Sequence, residues 1–131
     1  MTRVLLDTHA WVWSLVAPDR LTATAKAAIL RADSVHVSPV SLYEVAWKVR
    51  LGKWPQVRPH LDAFETETET RTASLTRAAA ARAGLLDWTH RDPFDRLIAA
   101  TAIELRCSLV SKDAAFDALD KTTGWIGRIW T

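Results

Sequence analysis

Four acidic residues stand where an apolar segment gives way to a polar turn or to the start of a helix. In a parallel α/β domain, the carboxyl ends of the strands open onto one shared crevice, so acids far apart in sequence can meet at that edge. Clustered carboxylates repel one another unless a positive charge lies among them, and a divalent metal is the usual answer. The spacing therefore predicts a metal site formed by Asp7, Glu44, Asp95 and Asp113.

Each of these acids also has a purely structural explanation. Asp7 and Asp113 can each cap the helix that follows them. Asp92 and Asp95 are spaced like an N-cap residue and the third residue of its helix, an arrangement typical of a capping box. Glu44 falls on the polar side of its predicted helix, where it would be solvated. The metal prediction therefore depends on the four acids occurring together.

Short apolar runs alternate with amphipathic segments along the chain. Strands are predicted at residues 3–6, 35–38, 72–75 and 107–111, with a possible edge strand at 127–130. Helices are predicted at residues 10–16, 22–30, 60–65, 93–106 and 113–119, between Pro39 and Gly52, and in an Ala-rich segment that ends at Gly84. This alternation predicts a three-layer α/β/α fold, with a central parallel sheet of four to five strands.

Length and composition limit the class of protein. The 131 residues, 49% hydrophobic and 24% charged, predict a single globular domain over residues 1–131. No apolar run of about 18 residues is present, so no membrane span is expected. A single cysteine, Cys107, favours the reducing cytoplasm. The net charge of +2 does not by itself indicate nucleic-acid binding.

Several basic residues lie near the acids in the sequence, and they suit an anionic substrate that is cut by metal chemistry. The alternative is structural, because a lysine four residues after Glu44 would form an ion pair with it, and cations also stabilise helix C-termini. The basic residues concerned are Lys48, Arg50, Lys53, Arg91 and Arg96.

The acids and the residues around them resemble the PIN-domain ribonucleases. Four blocks carry the resemblance: LLDTHA at residues 5–10, residues 38–53, HRDPFDRLIA at residues 90–99, and LVSKD at residues 109–113. The match covers almost the whole chain in the expected order. Among the members of this family, the chain most resembles the single-domain VapC toxins of toxin–antitoxin pairs in its length and in the residues of these blocks. The resemblance implies a PIN-like version of the predicted fold.

The resemblance also implies roles for individual residues. Mg²⁺ or Mn²⁺ held by carboxylates would activate water and stabilise the leaving oxygen of an RNA phosphodiester, whereas zinc prefers nitrogen and sulfur ligands. The implied function is a metal-dependent endoribonuclease toxin that inhibits translation or growth unless its cognate antitoxin binds it. The implied catalytic and metal-binding acids are Asp7, Glu44, Asp95 and Asp113, with Thr8 in support and Asp92 mainly a cap.

The aromatic residues are predicted to have mainly structural roles. The seven tryptophans are expected to fill the core or an interface more often than to stack on bases. Trp11 and Trp47 are candidates for a surface that binds the antitoxin or a second copy in a homodimer. The four histidines lack metal-ligand spacing, and even His90, beside the third block, is expected to lie outside the chemistry.

Three other functions are compatible with parts of this pattern. A PIN-domain nuclease that processes RNA would carry the same acids but would lack an adjoining antitoxin gene. A response-regulator receiver domain has a similar length, but it would want a pair of acids after its first strand, where Thr8 follows Asp7. A non-catalytic module that kept the fold would be expected to lose acids, and none is missing.

Overall fold

The computed structural model describes residues Met1–Thr131. The strands are β1 (Arg3–Leu6), β2 (Ser34–Val37), β3 (Arg71–Thr72), β4 (Ser108–Val110) and β5 (Arg128–Ile129). The α-helices are α1 (Thr8–Val16), α2 (Ala23–Arg31), α3 (Pro39–Arg50), α4 (Leu61–Thr66), α5 (Arg77–Leu85) and α6 (Pro93–Leu105). Short 3₁₀ helices cover Pro18–Arg20, Arg58–His60, Ala114–Ala118 and Lys121–Thr123. No helix is both long enough and apolar enough to cross a membrane.

The five strands form one parallel sheet in the order β3-β2-β1-β4-β5. The chain leaves β1 toward β2 on one side and reaches β4 on the other. The switch in strand order therefore lies between β1 and β4, which is where such sheets bind ligands. The predicted α/β class is confirmed. The receiver-domain alternative is wrong, because that fold places its strands in the order 2-1-3-4-5.

Side chains of the central strands alternate between two cores, as the pleat of a strand requires. Val4 and Leu6 belong to a core that also contains residues of α1, α3 and α4. Leu5, which lies between them, belongs to a second core with residues of α6. Helix α5 packs against α6 on that second side through small side chains. The sheet is thus covered on both faces, and the three-layer arrangement is confirmed.

Polar residues at the ends of the strands start the helices that follow. The Asp7 carboxylate accepts a hydrogen bond from the Ala10 amide at 2.8 Å, and the Ser38 hydroxyl accepts one from the Val40 amide at 3.1 Å. Proline at the first position of α3 and of α6 suits a helix start, where its missing N–H has no intrahelical partner. The turns that end β1 and β2 therefore place polar side chains at the carboxyl edge of the sheet.

Two elements differ from the prediction. The strand expected at residues 72–75 is the two-residue β3, and its pairing with β2 ends where the Ala73 amide donates to the Val37 carbonyl at 2.8 Å. The segment after Asp113 forms the 3₁₀ helix Ala114–Ala118 instead of an α-helix. It buries only Phe116, and so short a segment lacks the apolar face that would stabilise a longer helix. The possible edge strand is confirmed as β5.

The loop between α5 and α6 is held by one side chain. The Arg96 guanidinium donates to the carbonyl oxygens of Ala83 at 3.0 Å, Leu86 at 2.7 Å, Trp88 at 2.8 Å and His90 at 3.0 Å. These contacts use the planar fork of the guanidinium, which a lysine cannot reproduce. The interpretation of Arg96 as a substrate-binding cation was therefore wrong, since its donors are directed at the backbone.

We expect Arg96→Lys to lower the free energy of unfolding by about 2–4 kcal/mol, because lysine leaves most of these carbonyls without a charged donor. Urea denaturation followed by tryptophan fluorescence measures the change. Arg91→Lys makes the same substitution at an exposed position in the same loop and should stay within about 0.5 kcal/mol of the unmodified protein. Equal stability of the two variants would show that the carbonyl contacts contribute little.

Candidate active site

The carboxyl edge of the sheet collects all four predicted acids. Asp7 directly follows β1 and Asp113 comes three residues after β4, so both lie at the switch in strand order. Glu44 belongs to α3, and Asp95 lies in the first turn of α6. The charges of Glu44 and Asp95 act on Asp7, and the charge of Asp113 acts on Asp95. The four carboxyls therefore form one electrostatically connected group, the acidic group.

Asp7 is the carboxyl whose ionisation the fold opposes most. Only 6% of its surface is exposed. Burial is the main reason that the pKa of Asp7 rises to about 7; hydrogen bonds from Ser111 and Ala10 oppose the rise, and the charges of Asp95 and Glu44 add to it. Near neutral pH this carboxyl therefore binds either a proton or a cation readily.

Asp95 pairs with a histidine. His90 Nε2 lies 2.7 Å from Asp95 Oδ2. Burial raises the pKa of Asp95 to about 6, opposed by the hydrogen bond from His90 and assisted by the charges of Asp92 and Asp113. The ligand atoms of His90, Asp95 and Asp113 all lie within 4.8 Å of one another. His90, which has no metal-ligand spacing in the sequence, therefore lies close to two of the predicted metal ligands.

The sequence carried only a weak signal for His90. It lies five residues before Asp95, across a proline, so no helical spacing joins the two side chains. The structure brings them together through the loop that Arg96 holds and through the ring of Trp88, which lies 4.8 Å from the His90 ring. Trp88 Nε1 also donates to the Ala115 carbonyl at 3.2 Å, which links this loop to the segment after β4.

Glu44 is buried rather than solvated. It is 7% exposed, and its Oε2 lies 2.9 Å from Lys48 Nζ, so the alternative of an ion pair is confirmed. The solvated position that a purely structural role predicts for Glu44 is wrong, because α3 packs against both α1 and α6. The Thr8 hydroxyl donates to the Ser41 hydroxyl at 3.0 Å in the interior. This bond ties α1 to α3 beside Asp7 and Glu44.

Asp92 and Asp113 both cap helices, as predicted. Asp92 Oδ1 accepts from the Phe94 amide and Asp113 Oδ1 accepts from the Ala115 amide, each at 2.9 Å. Asp113 is nevertheless grouped with His90 and Asp95, so one residue serves as a cap and as a potential ligand. The capping box expected for Asp92 and Asp95 does not form, since the Asp95 carboxylate bonds to His90.

The two tryptophans that were predicted to lie on a binding surface differ in their exposure. Trp11 is 2% exposed and packs edge-on against Phe64, with ring centroids 5.1 Å apart. Its proposed place on a surface was therefore wrong. Trp47 is 40% exposed and lies 5.9 Å from the Phe94 ring. A role for Trp47 in association stays a prediction.

The donor set fits a hard divalent cation. The acidic group offers carboxylate oxygens, the ligands that Mg²⁺ and Mn²⁺ prefer, with a single imidazole beside them. Burial, with a smaller contribution from neighbouring acids, raises the pKa values of Asp7 and Asp95, so a bound cation would stabilise their ionised forms. Cys107 is buried in the core under α6 and cannot contribute sulfur. A cleft of about 460 Å³ opens beside Asp7 and Asp113.

Comparisons with known proteins agree with this fold. The PIN domain family model matches residues 4–122. Ribonuclease VapC22 of Mycobacterium tuberculosis is 40% identical over 115 residues, which are 86% of this chain and 88% of that protein. Two solved structures share the fold. VapBC2 from Rickettsia felis bound to promoter DNA matches with a TM-score of 0.70 and 17% identity, over 98% of this chain and 99% of that one. VapBC-5 from M. tuberculosis matches with a TM-score of 0.68 and 20% identity, over 98% of each chain. The chain therefore belongs to the PIN-domain family and, within it, to the VapC ribonucleases.

Proposed function

We propose that this chain, as a single PIN domain over residues 1–131, is a metal-dependent endoribonuclease and the toxin of a toxin–antitoxin pair. The observation that carries the proposal is the acidic group at the carboxyl edge of the sheet. Buried or half-buried acids with raised pKa values cost folding free energy unless they bind a proton or a cation, and such groups are concentrated at catalytic sites. VapC22 is named a ribonuclease, which supports RNA as the substrate.

The metal ligands in this proposal are Asp7, Glu44, Asp95 and Asp113, with His90 beside Asp95 and Asp113. A Mg²⁺ or Mn²⁺ ion bound there would supply positive charge that neutralises a phosphate and polarises an attacking water. The preference for these ions over zinc follows from the excess of oxygen donors.

The chain's own side chains orient the reactants. The Ala10 amide occupies Oδ1 of Asp7 and leaves Oδ2 free of the cap. His90 Nε2 lies at Oδ2 of Asp95 and orients that carboxylate. Lys112 lines the cleft beside Asp7, where a cation attracts an anionic phosphodiester and offsets its repulsion by the acids.

The proposed role as a toxin is supported by the assemblies in which similar proteins occur. The Rickettsia felis and M. tuberculosis structures are VapBC assemblies, and the latter is described as a member of a toxin–antitoxin family. We infer that a cognate antitoxin binds this chain and blocks its activity. The site of action would be the cytoplasm, where RNA is available. A homodimer stays a prediction, for which Tyr43 and Trp47 offer exposed apolar surface on α3.

We expect Asp95→Asn to slow the cleavage of labelled single-stranded RNA in Mn²⁺ by at least about 100-fold, because an amide cannot supply the charge that holds the cation. The fold should persist, since asparagine can still accept a hydrogen bond from His90. Initial rates of cleavage on denaturing gels measure the effect.

Asp87→Asn is the matched control for this experiment. It makes the same change at an exposed loop position and should keep the rate within about threefold. EDTA should abolish cleavage and added Mn²⁺ should restore it. Equal rates for Asp95→Asn and Asp87→Asn, or full activity in EDTA, would refute the proposed site.

We expect Asp7→Asn to stabilise the metal-free protein. Between the ordinary pKa of 3.8 and about 7, the folded chain keeps a proton on Asp7 that the unfolded chain has released. The free energy of unfolding of the unmodified protein therefore falls as the pH rises through this window. Asparagine can still cap α1 and does not ionise. The variant should be more stable by about 2–4 kcal/mol at about pH 8, and by less than half of that at about pH 5.

Thermal melts in EDTA and in Mn²⁺ test this expectation. Mn²⁺ should raise the Tm of the unmodified protein through preferential binding to the folded state and should raise that of Asp7→Asn much less. A variant that is destabilised at both pH values, with an unchanged Mn²⁺ effect, would show that Asp7 is a structural cap only.

Growth experiments distinguish a toxin from a nuclease that processes RNA. Induced expression should arrest growth, Asp95→Asn should not, and co-expression of a small adjoining gene should restore growth. Sequencing the 5′ ends of cellular RNA from the two inductions would identify the cleaved target. Normal growth on induction, despite cleavage by the purified protein, would favour the processing function.

A further inference from the structure

We propose that His9, Trp13 and Trp54 form a base-stacking subsite, which binds one unpaired base of the RNA next to the acidic group. The inference rests on the proposed ribonuclease function and adds to it a binding subsite of named residues. Nothing in the acidic group itself would distinguish a single-stranded RNA from a duplex.

Two adjoining cavities connect the acids with these aromatic rings. The cleft of about 460 Å³ is lined by Asp7 and Asp113 and also by His9 and Trp13. A second cavity of about 350 Å³ is lined by His9 and Trp13 again and by Trp54. Because two residues line both cavities, a nucleotide next to a phosphate at the acids would meet the rings directly.

The rings are supported by the fold. The His9 ring lies 5.6 Å from that of Trp13 and 5.1 Å from that of Trp54, the latter nearly perpendicular at 77°. Trp130, which follows β5, packs against Trp13 with centroids 5.8 Å apart. Trp13 and Trp54 are half-buried against the core under α1. A ring that the core holds on one side and a cavity meets on another is suited to stacking on a base.

Three cations surround the two tryptophans. The Arg20 guanidinium lies 5.8 Å and the Lys112 ammonium 5.9 Å from the Trp13 ring centroid. The Lys48 ammonium lies 4.9 Å from the Trp54 centroid. Cations interleaved with aromatic rings are typical of surfaces that bind single-stranded nucleic acid, because the cations attract phosphates while the rings stack on bases. This charge favours RNA over an apolar protein segment as the occupant.

Stacking on these rings requires a base whose face is free. In a duplex, both faces of each base are covered by its neighbours, whereas loops and single strands can splay a base out. The substrate class is therefore RNA that is unpaired beside the scissile phosphate. Stacking tolerates any base, so this subsite selects strand state more than sequence.

The test is a double-mutant cycle, in which a tryptophan ring is removed from the protein and the bases are removed from the nucleic acid. The protein is the full chain carrying Asp95→Asn, chosen to slow cleavage during the measurement, with and without Trp13→Leu. The probes are a fluorescent single-stranded RNA and an abasic chain of the same length, each about 12 nucleotides, within the range of single-stranded binding sites. Fluorescence anisotropy in Mn²⁺ gives the ratio of the two affinities.

We expect the chain with its native rings to bind the RNA about 5- to 100-fold more tightly than the abasic chain, as one stacked base would give. Trp13→Leu should remove most of this ratio while binding of the abasic chain changes little. Trp47→Leu makes the same change outside both cavities and should leave the ratio intact. If Trp13→Leu does not fold, as judged by circular dichroism, Trp54→Leu replaces it.

An unchanged ratio in folded Trp13→Leu and Trp54→Leu would overturn the proposal. So would loss of co-purification with the cognate antitoxin at an unchanged ratio, since the rings would then belong to a protein-binding surface. RNA cleavage by the chain with Asp95 intact is measured in parallel. An unchanged ratio with normal cleavage rejects the subsite alone, whereas absence of cleavage rejects the ribonuclease function on which it rests.

Discussion

Asp7 closes the central strand of the sheet with a carboxyl group that is buried, caps a helix and faces other acids. Burial and like charge both oppose its ionisation, so the surrounding edge has to compensate. The ion pair of Lys48 with Glu44 and the bond of His90 to Asp95 supply part of that compensation. The negative charge that these two contacts leave uncompensated makes this edge suited to a divalent cation. The packing of the helices on the sheet holds the acids together at this edge.

The same side chains connect the two halves of the proposed binding surface. Lys48 pairs with Glu44 and at the same time lies over the ring of Trp54. Lys112 lines the cleft beside Asp7 and also approaches Trp13. The acidic group and the base-stacking subsite would therefore share these two lysines, so a substitution of either lysine would affect both sites. In a short chain, such dual use replaces the additional residues that a larger nuclease could supply.

Local signals in the sequence were enough to predict β1, β2, β4 and β5, the start of α6 and the end positions of Asp7 and Asp113. Apolar runs, a proline at the first helical position and capping acids depend only on near neighbours. The burial of Glu44 could not be predicted in this way, since it depends on α3 packing against two helices at once. The place of His90 depends on a loop that Arg96 fixes from a later helix. Helix periodicity contains no information about either contact.

Arg96 has one further consequence, for genetics. Its guanidinium holds four backbone carbonyls, including that of His90, yet it forms no salt bridge with the acids. Substitutions that inactivate such a protein would therefore not be confined to its carboxylates. In a selection for cells that survive its expression, substitutions at Arg96 would be recovered together with those at the acids. The resulting map of survivors would outline the supporting loop as well as the chemical centre.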